Sequence, residues 1–134
     1  MRAGTPLLIA LWTIACAPMT RTGAVALDGT EWTLVAVNGT SAVAGSSATL
    51  AFAGDSASGN GGCNQFRAPL TTSDATLTFG PAMSTKRACA DAAMNVQETA
   101  YLGALADVAT FDAAGDHLRL RDAAGKVVLE FARR

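Results

Sequence analysis

"TFDAAGDHLRLRDAAGKVVLEFAR", Thr110 to Arg133, decides the fold. Its centre, "HLRLR", alternates strictly, with Leu118 and Leu120 on one side and His117, Arg119 and Arg121 on the other. Period-two alternation over a short run marks a strand with one face on a core and one in water. "DAAG" flanks this run on both sides, led by Asp112 and by Asp122. Each copy reads as an aspartate-led turn whose glycine accepts positive φ. "KVVLEF" follows the second copy. Three strands joined by tight turns make an antiparallel meander, and the repeat spacing is that of hairpins, too short for a solenoid.

The same signals extend upstream. "EWTLVAV", Glu31 to Val37, sets Trp32, Leu34 and Ala36 on one side of a strand, and Asn38-Gly39 turns the chain behind it. "SATLAFAG", Ser47 to Gly54, is a second strand with Leu50 and Phe52 inward. "QFRAPLTT" and "ATLTFG" are short strands that bring Phe66, Leu77 and Phe79 to the core. Pro69 predicts that the first of these is an edge or irregular strand, because proline cannot donate to a ladder. One segment reads as a helix: "DAAMNVQETAYLGALAD", Asp91 to Asp107. Asp91 is its N-cap, Met94, Tyr101, Leu102 and Leu105 share a face, and Glu98 sits at the edge of that face. Gly103 weakens the helix slightly or admits a close strand. The expected fold is α+β: a compact, mostly antiparallel, curled and barrel-like sheet with one helix packed on it.

The chain has 134 residues, enough for one domain. Half of them are hydrophobic, but many are alanine, so the core is small. Ten basic and eleven acidic residues leave a net charge of −1, which excludes the basic field of a nucleic-acid binder. "LLIALWTIA", Leu7 to Ala15, is too short to span a bilayer, which takes ~20 apolar residues, and has the length of a signal-peptide core. "TIAC" resembles a bacterial lipobox that would make Cys16 the lipidated first residue of the mature chain. "AVA", Ala24 to Ala26, is the competing cleavage site, but it lies well past the apolar run. The expected organisation is a signal peptide over residues 1–16, a tether over 17–26 and a domain over 27–134, in a protein exported to the bacterial cell envelope, lipid-anchored and facing the periplasm.

"GNGGCNQF", Gly59 to Phe66, is the stretch most like a site. A phosphate loop would need lysine after the glycines, and a dinucleotide fingerprint would need a glycine where Asn64 stands. A cysteine nucleophile needs a base in reach, whereas the single histidine, His117, reads as a solvated strand residue. Cys63, Cys89 and scattered carboxylates lack zinc-ligand spacing, so no metal or cofactor is expected. Glu98 has no partner carboxylate, and bonding nearby backbone is its simplest role. With Cys16 spent, Cys63 and Cys89 form an even pair in an exported chain, which favours a disulfide. It would close a loop of about 27 residues, worth on the order of 3.5 kcal/mol in the chain-entropy view.

Taken in order, "LDGTEWTLVAVNG", "GNGGCNQF", "MSTKRAC", "QETAYLGAL" and the closing "LEF" resemble the META domain family, of the heat-inducible HslJ type. The resemblance covers about Leu27 to Ala132. Its motif positions fall on Gly59, Gly62, Cys63, Asn64 and Phe66, then on Met83, Thr85 and Cys89, then on Gln97 and Glu98. Arg87 departs from the pattern, which more often has methionine there. The resemblance implies a compact, mostly antiparallel β domain with one helix, small exported or lipid-anchored proteins, links to stress and to secretion or motility, and no family-wide catalytic activity or cofactor. The functional expectation is a non-enzymatic envelope module that binds a partner protein. A small-ligand binder, and behind it an enzyme using Cys63 or Glu98, are the alternatives.

Overall fold

The computed structural model describes residues 26–134, and Gly4 before them. Gly4 apart, the expected signal peptide with Cys16, and the expected tether as far as residue 25, lie outside the described residues. The strands are β1 (Glu31–Val37), β2 (Thr40–Ser41), β3 (Thr49–Ala53), β4 (Ser56–Asn60), β5 (Gln65–Ser73), β6 (Thr76–Phe79), β7 (Met83–Ser84), β8 (Thr110–Ala114), β9 (His117–Arg121) and β10 (Val127–Arg133), with α1 (Ala92–Leu105) between β7 and β8. Neighbours run β10-β9-β8-β6-β5-β4-β3-β1, and β10 pairs back onto β1. Eight antiparallel strands therefore close into a barrel. Closure leaves no free edge in the ring. β2 is attached to β1 alone, and β7 to β5 alone.

Alternation fills the interior. Trp32, Leu50, Phe52, Leu77, Leu118, Leu120, Leu129 and Phe131 are all fully buried. The meander forms as its sequence dictates: Leu120 stands opposite Leu129, and Leu118 opposite Phe131. Arg119 and Arg121 point outward, where they meet Glu130 at 3.3 Å and Asp112 at 3.0 Å. The Asn38-Gly39 turn takes φ of 48° and 79°, the left-handed pair that a two-residue hairpin requires.

Four local expectations change. The two "DAAG" copies are not equivalent. Asp122 does lead a turn, accepting N–H bonds from Ala124 and Lys126, whereas Asp112 lies inside β8 and only Gly115, at φ 59°, turns the chain. Of the two alternatives at Pro69, the irregular strand holds and the edge does not. β5 pairs with β4 on one flank, and on the other with β7 at Phe66–Arg67 and β6 at Leu70–Ser73. Ala68 and Pro69 fall in the gap between β7 and β6, where no ladder bond asks for the missing N–H, and Pro69's carbonyl still accepts from Gly80 at 2.8 Å. "SASGN" forms β4, a strand that its small polar residues do not announce. Gly59 admits it: a Cβ there would stand 2.1 Å from the Thr49 carbonyl oxygen.

The helix is the fourth. Asp91 caps it by accepting from Ala93 N–H, as expected. Its buried face, however, is Gln97, Glu98, Tyr101, Ala104 and Leu105, with Met94 and Leu102 only half-buried. Gly103 is exposed, and a Cβ there would meet nothing within 4 Å, so no strand approaches it. Tyr101 packs edge-on against Phe66 (5.5 Å between ring centres) and Phe131 (5.9 Å). Its hydroxyl donates to the Thr49 carbonyl at 2.9 Å. Burial raises its pKa well above 10, so it remains a donor. Thr49 opens β3 and Phe66 lies at the start of β5. The helix thus lies across one end of the barrel and brings its polar pair, Gln97 and Glu98, to the loops there.

Candidate functional site

The link from β4 to β5, Gly61 to Asn64, is where the motif residues converge. Asn60 Oδ1 accepts from Gly62 N–H at 2.7 Å, and Gly61 N–H donates to the Asn64 carbonyl at 2.8 Å. Gly62 has φ 140°, and a Cβ on it would stand 3.0 Å from Met94 Sδ. A Cβ on Gly61 would stand 2.8 Å from Glu98 Cγ. The glycines here admit the helix side chains against the loop backbone.

Cys63 and Cys89 are joined as a disulfide, with Cα atoms 5.6 Å apart. The bond ties this link to the segment just ahead of α1. Asn64, nearly fully buried, ties the same two pieces by hydrogen bonds. Its Oδ1 accepts from Arg87 N–H at 2.7 Å and from the Thr85 hydroxyl at 3.0 Å. Its Nδ2 donates to the Arg87 carbonyl at 3.0 Å and to Glu98 Oε1 at 2.5 Å. One amide side chain thus pairs both backbone groups of Arg87, as a neighbouring strand would. Thr85 adds a rung, with its N–H donating to the Gln65 carbonyl and its Oγ1 accepting from Gln65 N–H.

Glu98 completes the cluster from the helix. Its Oε2 accepts from Cys63 N–H at 2.9 Å and Asn64 N–H at 2.7 Å, and lies 3.4 Å from Cys63 Sγ. Burial pushes its pKa up, but donation from the Asn64 amide and from the two backbone N–H groups outweighs this and holds it below its ordinary value. Glu98 is therefore ionised, with its charge compensated by donors. Gln97, its neighbour, faces the β2–β3 connection. Its Oε1 accepts from Val43 N–H at 2.5 Å and its Nε2 donates to the Ser46 hydroxyl at 2.7 Å. Among the described residues, no buried side-chain nitrogen or oxygen lacks a partner.

This arrangement holds structure together and leaves little free for chemistry. A general base needs an available lone pair and a pKa near the working pH. Glu98 is depressed and spends both in-plane lone pairs of Oε2 on N–H groups. Metal-ligating atoms of Cys63, Cys89 and Glu98 lie within 4.8 Å of one another, but disulfide sulfurs carry no thiolate, so this donor set does not fit a metal. His117 is exposed on β9, where it stands opposite Ala114 and Ala132. Met83, grouped with these motif residues in the sequence, is 78% exposed and packs nowhere in the core.

Two surface hollows accompany the cluster. An apolar groove of about 440 Å³ runs between the β1–β2 hairpin and α1, lined chiefly by Val37, Val43, Ala93, Val96 and Ala100. A smaller hollow of about 280 Å³ lies at the other end of the barrel, where Leu27, Phe52, Leu70 and Phe111 form an apolar floor beside Asp28 and Asp74. Sequence reading missed Val43 and Ser46 as partners of the helix. The signal available was Gln97 itself, since a polar residue beside Tyr101 on a buried face needs a partner.

Two solved structures share this architecture. The NMR structure of a protein from Burkholderia xenovorans superposes with a TM-score of 0.67 at 28% identity, covering 81% of this chain and 83% of that one. A second NMR structure gives a TM-score of 0.64 at 24% identity, covering 79% and 90%, and bears on the fold alone. Among curated proteins, none matches the chain. The META domain matches residues 25–134, which hold the disulfide, the Asn64 bridge and the Gln97-Glu98 pair, and the chain therefore belongs to the META domain family.

Proposed function

We propose that this chain is a non-enzymatic module of the bacterial cell envelope, exported, held at the membrane by a lipid on Cys16, and serving to bind a partner protein under stress. The observation that carries the reading is the state of the Cys63–Asn64–Glu98 cluster. Its polar atoms are committed to one another and to backbone, so the most site-like residues act as fasteners. The apolar run Leu7 to Ala15 followed by Cys16 supports the anchor. Intact mass of the protein from a membrane fraction tests it. The expected species begins at Cys16, carries acyl chains and contains one disulfide. A soluble species beginning at Leu27 would replace the anchor with ordinary secretion. For the partner role, the anchored protein is cross-linked in heat-stressed cells, and no reproducible adduct above the unstressed control would count against it.

The groove beside α1 favours a second reading, as a binder of small apolar ligands. Its lining holds no charged residue, and Gln97 in its floor is already satisfied. Such a lining suits an uncharged apolar group. Titration with a fluorescent fatty-acid analogue checks this. Saturable binding weakened by Val96→Asp supports it, and binding indifferent to that change removes it.

A further inference from the structure

Met83 is the motif residue that the fold does not use. It stands directly opposite Arg67 in the β5–β7 pairing, on the outer face of the sheet. At 78% exposure it is the most exposed large hydrophobic side chain among the described residues. Lys86 and Arg87 follow two and three positions after Ser84 on the same exposed segment. Arg87's backbone is fixed by Asn64, so the segment is held in place while its side chains stay outside. The two ion pairs among the described residues are Arg119–Glu130 and Arg121–Asp112. Arg67, Lys86 and Arg87 belong to neither. Arg67 and Met83 line an open hollow with Ser58, Gln65 and Thr85, Arg87 lines a second hollow that shares Gln65 and Thr85 with it, and Lys86 is exposed between Thr85 and Arg87.

We propose that this face of β5 and β7 docks on an anionic phospholipid surface, with Met83 entering the headgroup region and Arg67, Lys86 and Arg87 on the phosphates. A long, unbranched, exposed apolar side chain beside Arg67, with Lys86 and Arg87 on the segment that follows, suits a soft, negatively charged surface. Charge changes along β5. The cations lie at the start of β5, whereas Asp74 caps its far end, with Asp28 lining the hollow there and the Asp55 carbonyl bonded to Leu70 N–H. The inference rests on the envelope reading for bringing the domain to a bilayer. Ala26 lies at the acidic end. Residues 17–26 span at most ~35 Å when extended, against ~30 Å for the length of β5, so an anchored chain reaches far enough to lay the basic end on lipid.

The test uses the full chain with vesicles of phosphatidylcholine alone or with phosphatidylglycerol added to about 30%, by flotation. Binding to the neutral vesicles, and its dependence on Cys16, reads the anchor. The increment on anionic vesicles reads the patch. That increment is expected to exceed tenfold at low salt and to shrink as salt rises, since each cation contributes about fivefold near an anionic surface. Arg67→Glu/Lys86→Glu/Arg87→Glu should abolish it without lowering the melting temperature, because these side chains are exposed. Met83→Ser should reduce it about threefold, as partial loss of an apolar insertion predicts. Equal binding to both vesicles, or an increment that survives the triple variant, overturns the proposal. So does polyglutamate binding to the same residues more tightly than the vesicles, which would assign the face to an acidic protein.

Discussion

In the β8–β9–β10 meander, Leu118, Leu120, Leu129 and Phe131 are buried against one another, and the polar residues on the reverse face are in water or in exposed ion pairs. Around Cys63 the contrast is complete. There, a disulfide, one asparagine side chain and one carboxylate fasten three separate pieces of chain, and glycines clear the space. The first region owes its stability to apolar area, which is forgiving of direction. The second owes it to hydrogen bonds whose donors and acceptors must all be placed, because an unpaired buried group costs more than a made bond contributes. Damage to the meander should therefore scale with volume removed, and damage to the fastened cluster with groups left unpaired.

The strongest test of that contrast is on the apolar side. Phe131→Ala removes a fully buried ring that also meets Tyr101 edge-on, and should cost about 3–5 kcal/mol in denaturant unfolding. On the other side, Cys63→Ser/Cys89→Ser should cost about 3.5 kcal/mol, read from the same unfolding curves without reductant. If the double variant costs more than Phe131→Ala, the fasteners matter more than the packing.

Glu98→Gln comes next, at about 2 kcal/mol, because an NH₂ group would replace an acceptor facing N–H donors. It also has a signature in pH. Glu98 has a folded pKa below its ordinary value of 4.5, so the stability linked to its charge is complete above that value. This stability is lost as pH falls through the lower folded value. The gap between the parent protein and Glu98→Gln should stay constant from about pH 7 to pH 5 and narrow below about pH 4. A gap unchanged into the acid range would mean that the carboxylate's charge contributes nothing. The smallest effect belongs to neither region. Gly103→Ala should stabilise by about 0.5–1 kcal/mol, since the position is helical, exposed and unobstructed. A loss there would show that α1 needs a flexible point.

Legibility in the sequence follows the same division. The strands with large alternating side chains, β1, β3, β6, β9 and β10, are readable because each residue reports its own face. β4 is not, because "SASGN" carries no apolar pattern and forms only where Gly59 lets the Thr49 carbonyl come close. Pro69 signals a break in the pairing and not an edge, because a proline's missing donor matters only where a neighbour asks for it. The disulfide is legible from the cysteine count together with the expectation of export. Periodicity puts Glu98 at the helix edge, yet it sits at the centre of the buried face, because its partners, Cys63 and Asn64, lie far away in sequence.

By itself, the sequence determined the antiparallel strands, the capped helix and the family, since these depend on periodicity, turn chemistry and short motifs that each segment carries alone. The tertiary structure decided that the sheet closes, through β10 meeting β1, and that a carboxylate and an amide hold the helix to it. It also decided that Met83 is left outside. Closure, satisfaction of a buried charge and exposure of a side chain are properties of distant segments in contact, and no local pattern encodes them.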